Sequence, residues 1–459
     1  MSSSSPLDHD FFRILLYRRN GKELLLMQAS KSLALPTIPI PRHSRVAQRI
    51  REAIRKDWEL DSCCLFSVGD RYSPAYAVEL CGEASTHPAK RHWLPVDSLT
   101  ARDFSEAQDF HVIDNATKQL NQYRNAGANS PFGKLGWLRD VIGWVESKAT
   151  SLGLHLTGEF QQVNASPTFS LIRFETDGPA LWFKAVGEPN LQEYRITRAL
   201  AELLPDYLPR LLASHELWNA WATIEVEGHT LEEFTSDADW EKAAFTLASL
   251  QIGSFGNALH LIGAGCRDAR ARVLLENIDS FFGSTTEVMA QQRKQDPPPL
   301  NRTELTALAK RIREALEELM ESEIPNVLGH LDCNAGNIIV SRDKCVFLDW
   351  AEGSIGHPFF TMQYLLEHSR QIRSTYGGDK NKIISSYLTP WQSFTDVRQI
   401  AADLALTPLL AAYAYATSIE PRTNRGSASP EMAALLRSLT RRMKREADTL
   451  AERSAACLP

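Results

Sequence analysis

The sequence predicts an α+β protein in which a small strand-rich lobe leads into a large helical lobe, with a separate small α/β domain in front of them. Three observations support this fold class. Short apolar runs separated by turn residues surround one helical stretch in roughly the first 120 residues. A second group of predicted strands begins near Phe160. Beyond Leu231, apolar residues recur at the 3.6-residue period of helices.

The length and charge of the chain limit the classes of protein it can be. Its 459 residues exceed one ordinary core, which predicts about two or three domains. Hydrophobic residues make up 43% and charged residues 23%, which is the balance of an ordinary globular protein. A net charge of -6 gives no bias toward nucleic acid or anionic membranes, so we expect neither as a partner.

The cysteines and the longest apolar stretch bear on the compartment. The seven cysteines are scattered and without metal-ligand spacing, and no apolar signal segment follows Met1. We therefore expect a reducing, cytoplasmic compartment. The stretch from Leu404 to Ile419 is interrupted by Thr407 and Pro408 and is too short for a membrane span, which predicts a buried helix.

The first domain is predicted to span residues 1–125. An Asn20-Gly21 turn predicts a hairpin, and apolar residues at helical spacing predict a helix over Ser44–Trp58. The other predicted elements are strands at Phe11–Arg18, Glu23–Gln28, Cys64–Val68 and Ala75–Leu80 and a helix near Ala101–Tyr123. Residues rich in Asn, Gly and Ser indicate a linker at 126–134. A helix at Leu135–Leu152 then opens the second domain, 135–459.

The order of strands around one helix that contains Arg51-Glu52-Ala53 resembles a Nudix-type domain. A working Nudix helix carries glutamates that bind magnesium. The corresponding positions here hold His43, Arg55 and Lys56, whose positive side chains would repel the metal. The resemblance therefore implies a non-catalytic domain for recognition or dimerisation. An unrelated α+β domain is the alternative.

One stretch, from His330 to Trp350, contains most of the candidate catalytic and metal-binding residues. Two apolar runs, Ile338–Val340 and Cys345–Leu348, are joined by a polar turn, which predicts a β-hairpin. Asn337 and Asp349 stand at its two outer ends and should lie close together. An amide oxygen and a carboxylate so placed suit a hard cation such as Mg²⁺, which keeps phosphate oxygens in its shell.

Asp332 lies one loop before this hairpin. A carboxylate there can orient or deprotonate a hydroxyl in front of a metal-bound phosphate. Its neighbour Cys333 has no nearby base and is interpreted as a small loop residue rather than a nucleophile. The alternative for the whole stretch is an ordinary hairpin whose polar residues cap turns.

The ordered set H-x-D-x-x-x-x-N, strand, turn and strand ending in Asp-Trp resembles the catalytic and metal loops of the aminoglycoside phosphotransferase and choline kinase family, relatives of the protein kinases. The resemblance implies a bilobal, protein-kinase-like domain with a small lobe at 135–227 and a helical lobe at 228–459. It implies Asp332 as the catalytic aspartate, with Asn337 and Asp349 holding Mg²⁺. The implied cofactor is ATP or, alternatively, GTP.

The continuation Gly353–Phe360 also resembles the family, with two departures. His357 and Thr361 stand where aspartates are common. These departures affect positions that brace the loop and weaken a subfamily assignment more than the kinase interpretation. His330 is interpreted as structural, because Asp332 already supplies a base.

Lys184 shares one face of the predicted strand Ala180–Val186 with Trp182. An ammonium among apolar neighbours should have an anionic partner, and Glu193 in the next helical stretch is the candidate. The resemblance implies that Lys184 contacts the nucleotide phosphates while Glu193 holds its ammonium. An ordinary salt-bridged lysine is the alternative.

The segment before Lys184 is predicted as one strand, Phe160–Phe174, with the stretch Gln161–Thr168 forming a loop over the phosphates. This loop has no glycine to let the backbone approach phosphate closely. Hydrogen bonds to phosphate would come instead from polar side chains of the loop, namely Asn164, Ser166 and Thr168.

The hinge between the lobes is predicted after a strand in Ala222–Gly228. By resemblance, backbone groups near Glu225 and Glu227 would meet the adenine, whereas their side chains are solvated in the alternative interpretation. Beyond the hinge, helices are predicted near Arg267–Gln291, Phe359–Arg370, Val397–Ser418 and Pro430–Arg453, and around two apolar stripes that begin at Trp240 and Leu305.

Together these expectations describe an enzyme that moves the γ-phosphoryl group of ATP to a hydroxyl of a small molecule. Two alternatives remain open. One is a nucleotide-binding, catalytically silent module whose amino-terminal domain recognises a ligand or partner, and the other is an active Nudix-type hydrolase. The sequence does not identify the acceptor, and the oligomeric state is open.

Overall fold

The structure, a computed structural model, describes residues 9–29, 32–69, 74–82, 91–125, 131–234, 236–294, 296–373, 379–424 and 430–456. It contains two compact units. The amino-terminal unit comprises Met1–Tyr194 and Arg210–Glu225, and the helical unit comprises Arg195–Pro209 and Val226–Pro459. The α+β fold class is confirmed, with β-sheets forming most of the first unit and helices most of the second.

The first sheet of the amino-terminal unit is mixed. Its strands are β1 (His9–Arg18), β2 (Glu23–Ala29), β3 (Ser32–Ala34), β4 (Thr37–Pro41), β5 (Ser62–Val68), β6 (Ala75–Leu80) and β7 (Arg91–Pro95). They run in the order β3-β2-β1-β6-β5, with β4 also paired to β1 and β7 to β2, and β1 is parallel to β6. The predicted hairpin is confirmed, because Arg18 pairs with Glu23 across a turn in which Asn20 and Gly21 have φ values of 58° and 83°.

Two helices, α1 (Val46–Trp58) and α2 (Ala107–Asn125), cover opposite faces of this sheet. Successive residues of a strand point to opposite faces. Accordingly, Leu16 of β1 packs in one core with Ile50 of α1, and its neighbour Leu15 packs in another with Val112 of α2. The alternating apolar residues of the central strands are therefore buried on both sides.

The second sheet of this unit follows helix α3 (Trp137–Thr150). Its strands are β8 (Leu156–Ser166), β9 (Phe169–Thr176), β10 (Leu181–Val186), β11 (Leu211–His215) and β12 (Ala220–Ile224), in the order β11-β12-β10-β9-β8. Helix α4 (Gln192–Leu203) follows β10. Trp137 of α3 packs against Phe183 of β10, with ring centroids 6.0 Å apart, so α3 covers one face of the sheet.

The prediction of one strand over Phe160–Phe174, with a loop at Gln161–Thr168, is wrong. The chain forms two strands, β8 and β9, and Ser166 pairs with Phe169 across a two-residue turn. Pro167 fixes φ near the value that a turn requires and has no N–H for a ladder. The Ser166 hydroxyl accepts a hydrogen bond from the Thr168 N–H at 3.2 Å, which closes the turn without glycine.

The two sheets meet through Gln162 of β8. Its side-chain oxygen accepts the Cys64 N–H at 2.7 Å, and its nitrogen donates to the Cys64 carbonyl at 2.8 Å. The amide thus pairs with one peptide of β5 as a neighbouring strand would. The predicted division into domains 1–125 and 135–459 stays a prediction, and residues 126–130 of the linker lie outside the described residues.

The helical unit is built from helices and short strands. The helices are α5 (Asp237–Gly253), α6 (Ala258–Ala264), α7 (Ala271–Glu276), α8 (Ile278–Ala290), α9 (Arg302–Met320), α10 (Pro358–Arg373), α11 (Lys380–Trp391), α12 (Val397–Asn424) and α13 (Pro430–Ala456). The strands are β13 (His229–Thr230), β14 (Arg267–Ala269), β15 (Val327–His330), β16 (Ile338–Val340), β17 (Cys345–Phe347) and β18 (Gly353–Gly356). They form two sheets, β13-β16-β17 and β14-β18-β15.

The prediction of one helix over Arg267–Gln291 is wrong, because the chain forms β14, α7 and α8 there. Residues of β14 pair in parallel with β18, so this segment is held as a strand by tertiary pairing. The Asp268 carboxylate then accepts the Arg270 N–H at 3.2 Å, just before α7 begins. Such a local side-chain bond favours a helix start over a continuing helix.

The predicted buried helix is confirmed in α12. By length and composition the segment Val397–Ile419 is apolar enough to cross a membrane, yet 67% of its most apolar part is buried inside the protein. Leu410, Tyr413 and Ala414 are fully buried and pack in one core with residues of α8, α9 and α13. This apolar helix forms part of the core of the helical unit.

Replacing Gln162 by Ala should lower the free energy of unfolding by about 2–4 kcal/mol, because each buried polar group left unpaired on Cys64 costs about 1–3 kcal/mol. Urea unfolding measures this loss. The matched control is Gln161→Ala on the same strand, whose exposed side chain should change the stability by no more than about 0.5 kcal/mol. Equal losses in the two variants would contradict the pairing of Gln162 with β5.

Candidate active site

The hairpin of the His330–Trp350 stretch forms as the sequence predicts. Its strands β16 and β17 are antiparallel, with Ile338 opposite Phe347. Beyond that pair, the Leu348 N–H donates to the Asn337 carbonyl at 2.8 Å. Asn337 and Asp349 are therefore near neighbours across the open end of the hairpin. The apolar side chains of both strands are largely buried, which fixes the register that brings these two together.

The loop between β15 and the hairpin is closed by hydrogen bonds to Asp332. The side-chain nitrogen of Asn337 donates to the Asp332 carbonyl at 3.1 Å, and that of Asn334 donates to Asp332 Oδ1 at 3.1 Å. The Asn337 amide is thereby held through its nitrogen, which leaves the side-chain oxygen as its acceptor group. The sequence interpretation missed Asn334, although its position two residues after an aspartate is typical of side-chain bonds in turns.

His330 joins the two ends of this stretch. Its Nε2 lies 2.9 Å from the Leu348 carbonyl oxygen, and its Nδ1 accepts the Asp332 N–H at 3.2 Å. These partners place the proton on Nε2, which donates to Leu348. The ring is 1% exposed, and burial lowers the pKa of His330, so the imidazole is neutral. A neutral, fully bonded ring fits the structural role inferred from the sequence.

Asp349 has an unusual backbone conformation. Its φ and ψ are 61° and 64°, in the left-handed region that costs a residue with a side chain about 1–2 kcal/mol. The neighbouring Trp350 is buried, and its ring lies 4.8 Å from that of His330, so packing holds the strained conformation. Observed strain of this kind clusters at functional sites. The carboxylate of Asp349 is exposed at the surface of the helical unit.

The donor set at this hairpin fits Mg²⁺ rather than a metal held by protein side chains alone. Within the described ranges, no group of three or more His, Cys, Asp and Glu side chains is arranged to hold a metal ion. Asn337 and Asp349 instead offer one amide oxygen and one carboxylate. Mg²⁺ takes one or two such protein ligands and completes its octahedron with water and substrate phosphates.

Lys184 and Glu193 form the ion pair that the sequence predicts. Lys184 Nζ contacts Glu193 Oε1, and the two side chains are 13% and 2% exposed. The ammonium lies 5.4 Å from the Phe169 ring centroid and 5.7 Å from that of Trp221. The two rings attract the ammonium through cation–π interactions. Because the ammonium has little contact with solvent, its attraction to negative charges is screened less. Its proposed contact with phosphate stays a prediction.

The turn at Ser166–Thr168 lies beside this lysine within the amino-terminal unit. The Gly187 N–H donates to the Thr168 carbonyl at 2.7 Å, and Gly187 is three residues after Lys184. Phe169, which packs on the ammonium, directly follows the turn. The hydroxyl candidates Ser166 and Thr168 are therefore close in the fold to Lys184.

The hinge candidates Glu225 and Glu227 differ in their surroundings. The Glu225 carboxylate accepts hydrogen bonds from Arg173 at 2.6 and 2.7 Å and from Trp182 Nε1 at 2.9 Å, and its N–H donates to the Ala180 carbonyl at 2.8 Å. The bond from Arg173 is the main reason that the pKa of Glu225 is lowered. Glu225 thus anchors the end of β12, while Glu227 is exposed. The sequence interpretation missed Arg173, because its partner is 52 residues away.

The comparison with models of protein families agrees with the resemblance seen in the sequence. Residues 186–374 match the model of the phosphotransferase enzyme family. The match includes Glu193 and the whole His330–Trp350 stretch, and it confirms the prediction of a phosphotransferase enzyme. No curated protein matches the chain.

Solved structures similar to this chain include kinases of small molecules. Choline kinase from Cryptosporidium parvum Iowa II is 13% identical, with 68% of this chain and 97% of that chain covered and a TM-score of 0.46. Choline kinase from Streptococcus pneumoniae is 15% identical, with 68% and 98% covered and a TM-score of 0.44. A spectinomycin phosphotransferase in complex with ADP and spectinomycin is 11% identical, with 68% and 98% covered and a TM-score of 0.44.

Within the segment that matches the family model, the two departures from the family pattern are integrated into the fold. The Thr361 hydroxyl accepts the His330 N–H at 3.0 Å, so it supports the loop that carries Asp332. His357 is 5% exposed, and its Nε2 lies 3.1 Å from Asp403 Oδ2 in α12. Burial lowers the pKa of His357, although Asp403 opposes that change. The neutral ring therefore donates to Asp403 and ties the loop to α12.

The lowered pKa of His357 predicts that stability falls with acidification. Below the ordinary histidine pKa of about 6.5, the unfolded chain binds a proton at this position that the folded protein excludes. The free energy of unfolding should fall as the pH decreases through that value, by at most about 1.4 kcal/mol per pH unit for this group.

Urea unfolding of wild type and His357→Gln, at a series of pH values from neutral to acid, tests this dependence. Glutamine keeps a donor for Asp403 but does not titrate, so the variant should show a shallower fall. The control is His260→Gln, an exposed histidine of α6, which should follow the wild-type slope. An unchanged slope in His357→Gln would contradict the assignment of a neutral, buried His357.

Proposed function

We propose that the protein is a small-molecule kinase that moves the γ-phosphoryl group of ATP to a hydroxyl. The observation that carries the proposal is the grouping of Asp332, Asn337 and Asp349 around one hairpin in a segment of the phosphotransferase family. A carboxylate beside an oxygen-ligand pair is the arrangement that phosphoryl transfer requires, because positioning and charge stabilisation supply most of the catalysis.

Asp332 is proposed as the catalytic base. Asn334 donates to its Oδ1, so one carboxylate oxygen is held in place, and the other would accept the proton of the acceptor hydroxyl. The acceptor hydroxyl would donate its proton to Asp332 as its oxygen attacks the γ-phosphorus, and the bond from that phosphorus to the bridging oxygen would break, releasing ADP. His330 is proposed as a positioning residue, since it bonds the Asp332 N–H and carries no charge of its own.

Asn337 and Asp349 are proposed to hold Mg²⁺. The bound ion would neutralise charge on the nucleotide phosphates and orient them for transfer. The bond from the Asn337 nitrogen to the Asp332 carbonyl supports this role, because it would leave the side-chain oxygen available to the cation. The exposed Asp349 carboxylate supplies the negative charge.

The amino-terminal unit is proposed to bind the nucleotide. Lys184, held by Glu193, would donate hydrogen bonds to phosphate oxygens. Because its side chain is only 13% exposed, solvent would weaken this charge interaction little. Ser166 and Thr168 would add hydroxyl donors, and backbone groups near Glu225 and Glu227 would meet the adenine. Either ATP or GTP would satisfy these contacts, and ATP is favoured by the resemblance.

The acceptor is proposed to be a small molecule, with aminoglycosides, choline, amino acids, sugars and nucleosides as the candidates. An ATP-dependent kinase of such compounds fits the cytoplasmic location expected from the sequence. A catalytically silent module is the second candidate, because glycine is absent from the turn and the Thr168 N–H is already bonded to the Ser166 hydroxyl oxygen.

Binding of Mg-ATP at this hairpin predicts a thermal shift that depends on Asp349. At about 100 times its dissociation constant, the ligand should stabilise the wild type by about 2.7 kcal/mol, which raises Tm by several degrees. Asp349→Ala should lose the Mg²⁺-dependent part of the rise. The control Asp343→Ala removes an exposed aspartate from the turn of the same hairpin and should keep it. A full rise in Asp349→Ala would refute the metal assignment.

Turnover should depend on Asp332 while nucleotide binding does not. Asp332→Asn keeps the size of the side chain but removes the base, so ADP release with the best acceptor of a hydroxyl-compound panel should fall by about 10²–10⁴-fold. Its thermal shift with Mg-ATP should remain. If no panel member stimulates ADP release by wild type and Asp332→Asn changes nothing, the silent module is correct instead.

A further inference from the structure

Strand β8 carries the turn that precedes the nucleotide-binding lysine, yet it is the last strand of its own sheet. It pairs with β9 on one edge, and in the part of the chain that the structure describes no strand pairs with its other edge. An edge strand with a short turn at its end is poorly constrained by its own ladder. Contacts from outside this sheet can therefore contribute to fixing the position of the turn.

The first domain supplies those contacts from helix α1. The Arg51 guanidinium donates to the Phe160 carbonyl of β8 at 2.8 Å and lies 3.8 Å above the Phe160 ring. Arg55 binds the Glu159 carboxylate of β8 through two bonds of 2.6 and 2.8 Å. Arg55 occupies a position where the Nudix resemblance expects a metal-binding glutamate. That residue of the helix thus binds a carboxylate of β8 in place of a cation.

Further along β8, hydrogen bonds come from the sheet of the first domain rather than from α1. Gln162 pairs with the Cys64 peptide, as described above. Beyond it, the Tyr76 hydroxyl of β6 donates to the Ala165 carbonyl at 2.5 Å. Ala165 is 5% exposed and belongs to the same core as Tyr76 and Val78 of the first domain. The final residues of β8 are therefore embedded in that domain.

The bond from Tyr76 lies one residue before the turn. Ser166 follows Ala165, its hydroxyl accepts the Thr168 N–H, and the Thr168 carbonyl accepts the Gly187 N–H at 2.7 Å. The next residue, Phe169, packs on the Lys184 ammonium. A continuous set of hydrogen bonds thus runs from the first domain through the turn to the strand of Lys184.

We infer that the first domain positions the phosphate-binding turn, with Tyr76 as the positioning residue that holds the Ala165 carbonyl beside it. In other phosphate-binding loops, glycine-rich backbone shapes the loop around phosphate. Here the first domain would instead hold a glycine-free turn in one conformation. The consequence for nucleotide affinity rests on the proposed kinase function, whereas the bracing of the turn does not. Nucleotide affinity depends on a domain that carries none of the proposed catalytic groups.

The test compares Tyr76→Phe with Tyr17→Phe. Both tyrosines are buried in the same sheet, at 6% and 0% exposure, but Tyr17 packs on the opposite face with α2. Amide hydrogen exchange at Thr168 and Gly187 reports the bracing directly. Tyr76→Phe should accelerate exchange at these amides by about three- to tenfold, because one buried hydrogen bond is lost, and Tyr17→Phe should not.

Calorimetric titration with Mg-ATP then reports the consequence. Tyr76→Phe should weaken binding by about three- to tenfold, while Tyr17→Phe binds as wild type does. Unchanged exchange at Thr168 and Gly187 in Tyr76→Phe would overturn the bracing, and faster exchange with unchanged affinity would overturn the positioning role. Wild type that binds no Mg-ATP refutes the kinase proposal, and exchange alone then decides the bracing.

Discussion

The imidazole of His330 is the interaction on which the candidate catalytic site depends. One nitrogen bonds the Leu348 carbonyl and the other bonds the Asp332 N–H, so a single ring joins the loop of the proposed base to the strand that leads to Asp349. The arrangement requires a neutral ring with its proton on Nε2. Burial supplies that state, because desolvation penalises the imidazolium. Trp350 and Thr361 in turn fix the position of the ring and of its backbone.

The amino-terminal unit contains a largely buried ion pair between Lys184 and Glu193. An ammonium that is 13% exposed is costly unless it is paired, and Glu193, at 2% exposure, is costly for the same reason. The ion pair offsets part of the desolvation cost of each group, and two aromatic rings pack near the ammonium. As a result, solvent screens the attraction of the Lys184 ammonium to negative charges only weakly. We propose that contacts from α1 and the first sheet of this unit hold the turn at Ser166–Thr168 beside this charge.

The elements that the sequence predicted share a local origin. The His330–Trp350 hairpin could be predicted because its apolar runs, its turn and its polar ends are all contained in 21 consecutive residues, and the ion pair of Lys184 with Glu193 spans only nine positions. The predictions at Phe160–Phe174 and Arg267–Gln291 were wrong where short-range periodicity competed with tertiary pairing. Apolar spacing alone does not show that Pro167 turns the chain or that Arg267–Ala269 is held by β18.

Other features could not be predicted because they join distant residues. The bonds of Gln162 to Cys64 and of Tyr76 to Ala165 span 98 and 89 positions, and nothing in either sequence neighbourhood indicates its partner. The same holds for Arg173, whose role became visible only with Glu225 beside it. The roles of the site residues in catalysis, and of the first domain in positioning the turn, remain our proposals.

The most direct test of the central claim is a crystal structure of the protein with Mg²⁺ and a non-hydrolysable ATP analogue. We predict that the ion lies about 2.0–2.1 Å from the Asn337 side-chain oxygen and from an Asp349 carboxylate oxygen. Lys184 should then lie within hydrogen-bond distance of a phosphate oxygen. A nucleotide bound against α1 of the first domain, or an ion held by neither Asn337 nor Asp349, would contradict the account.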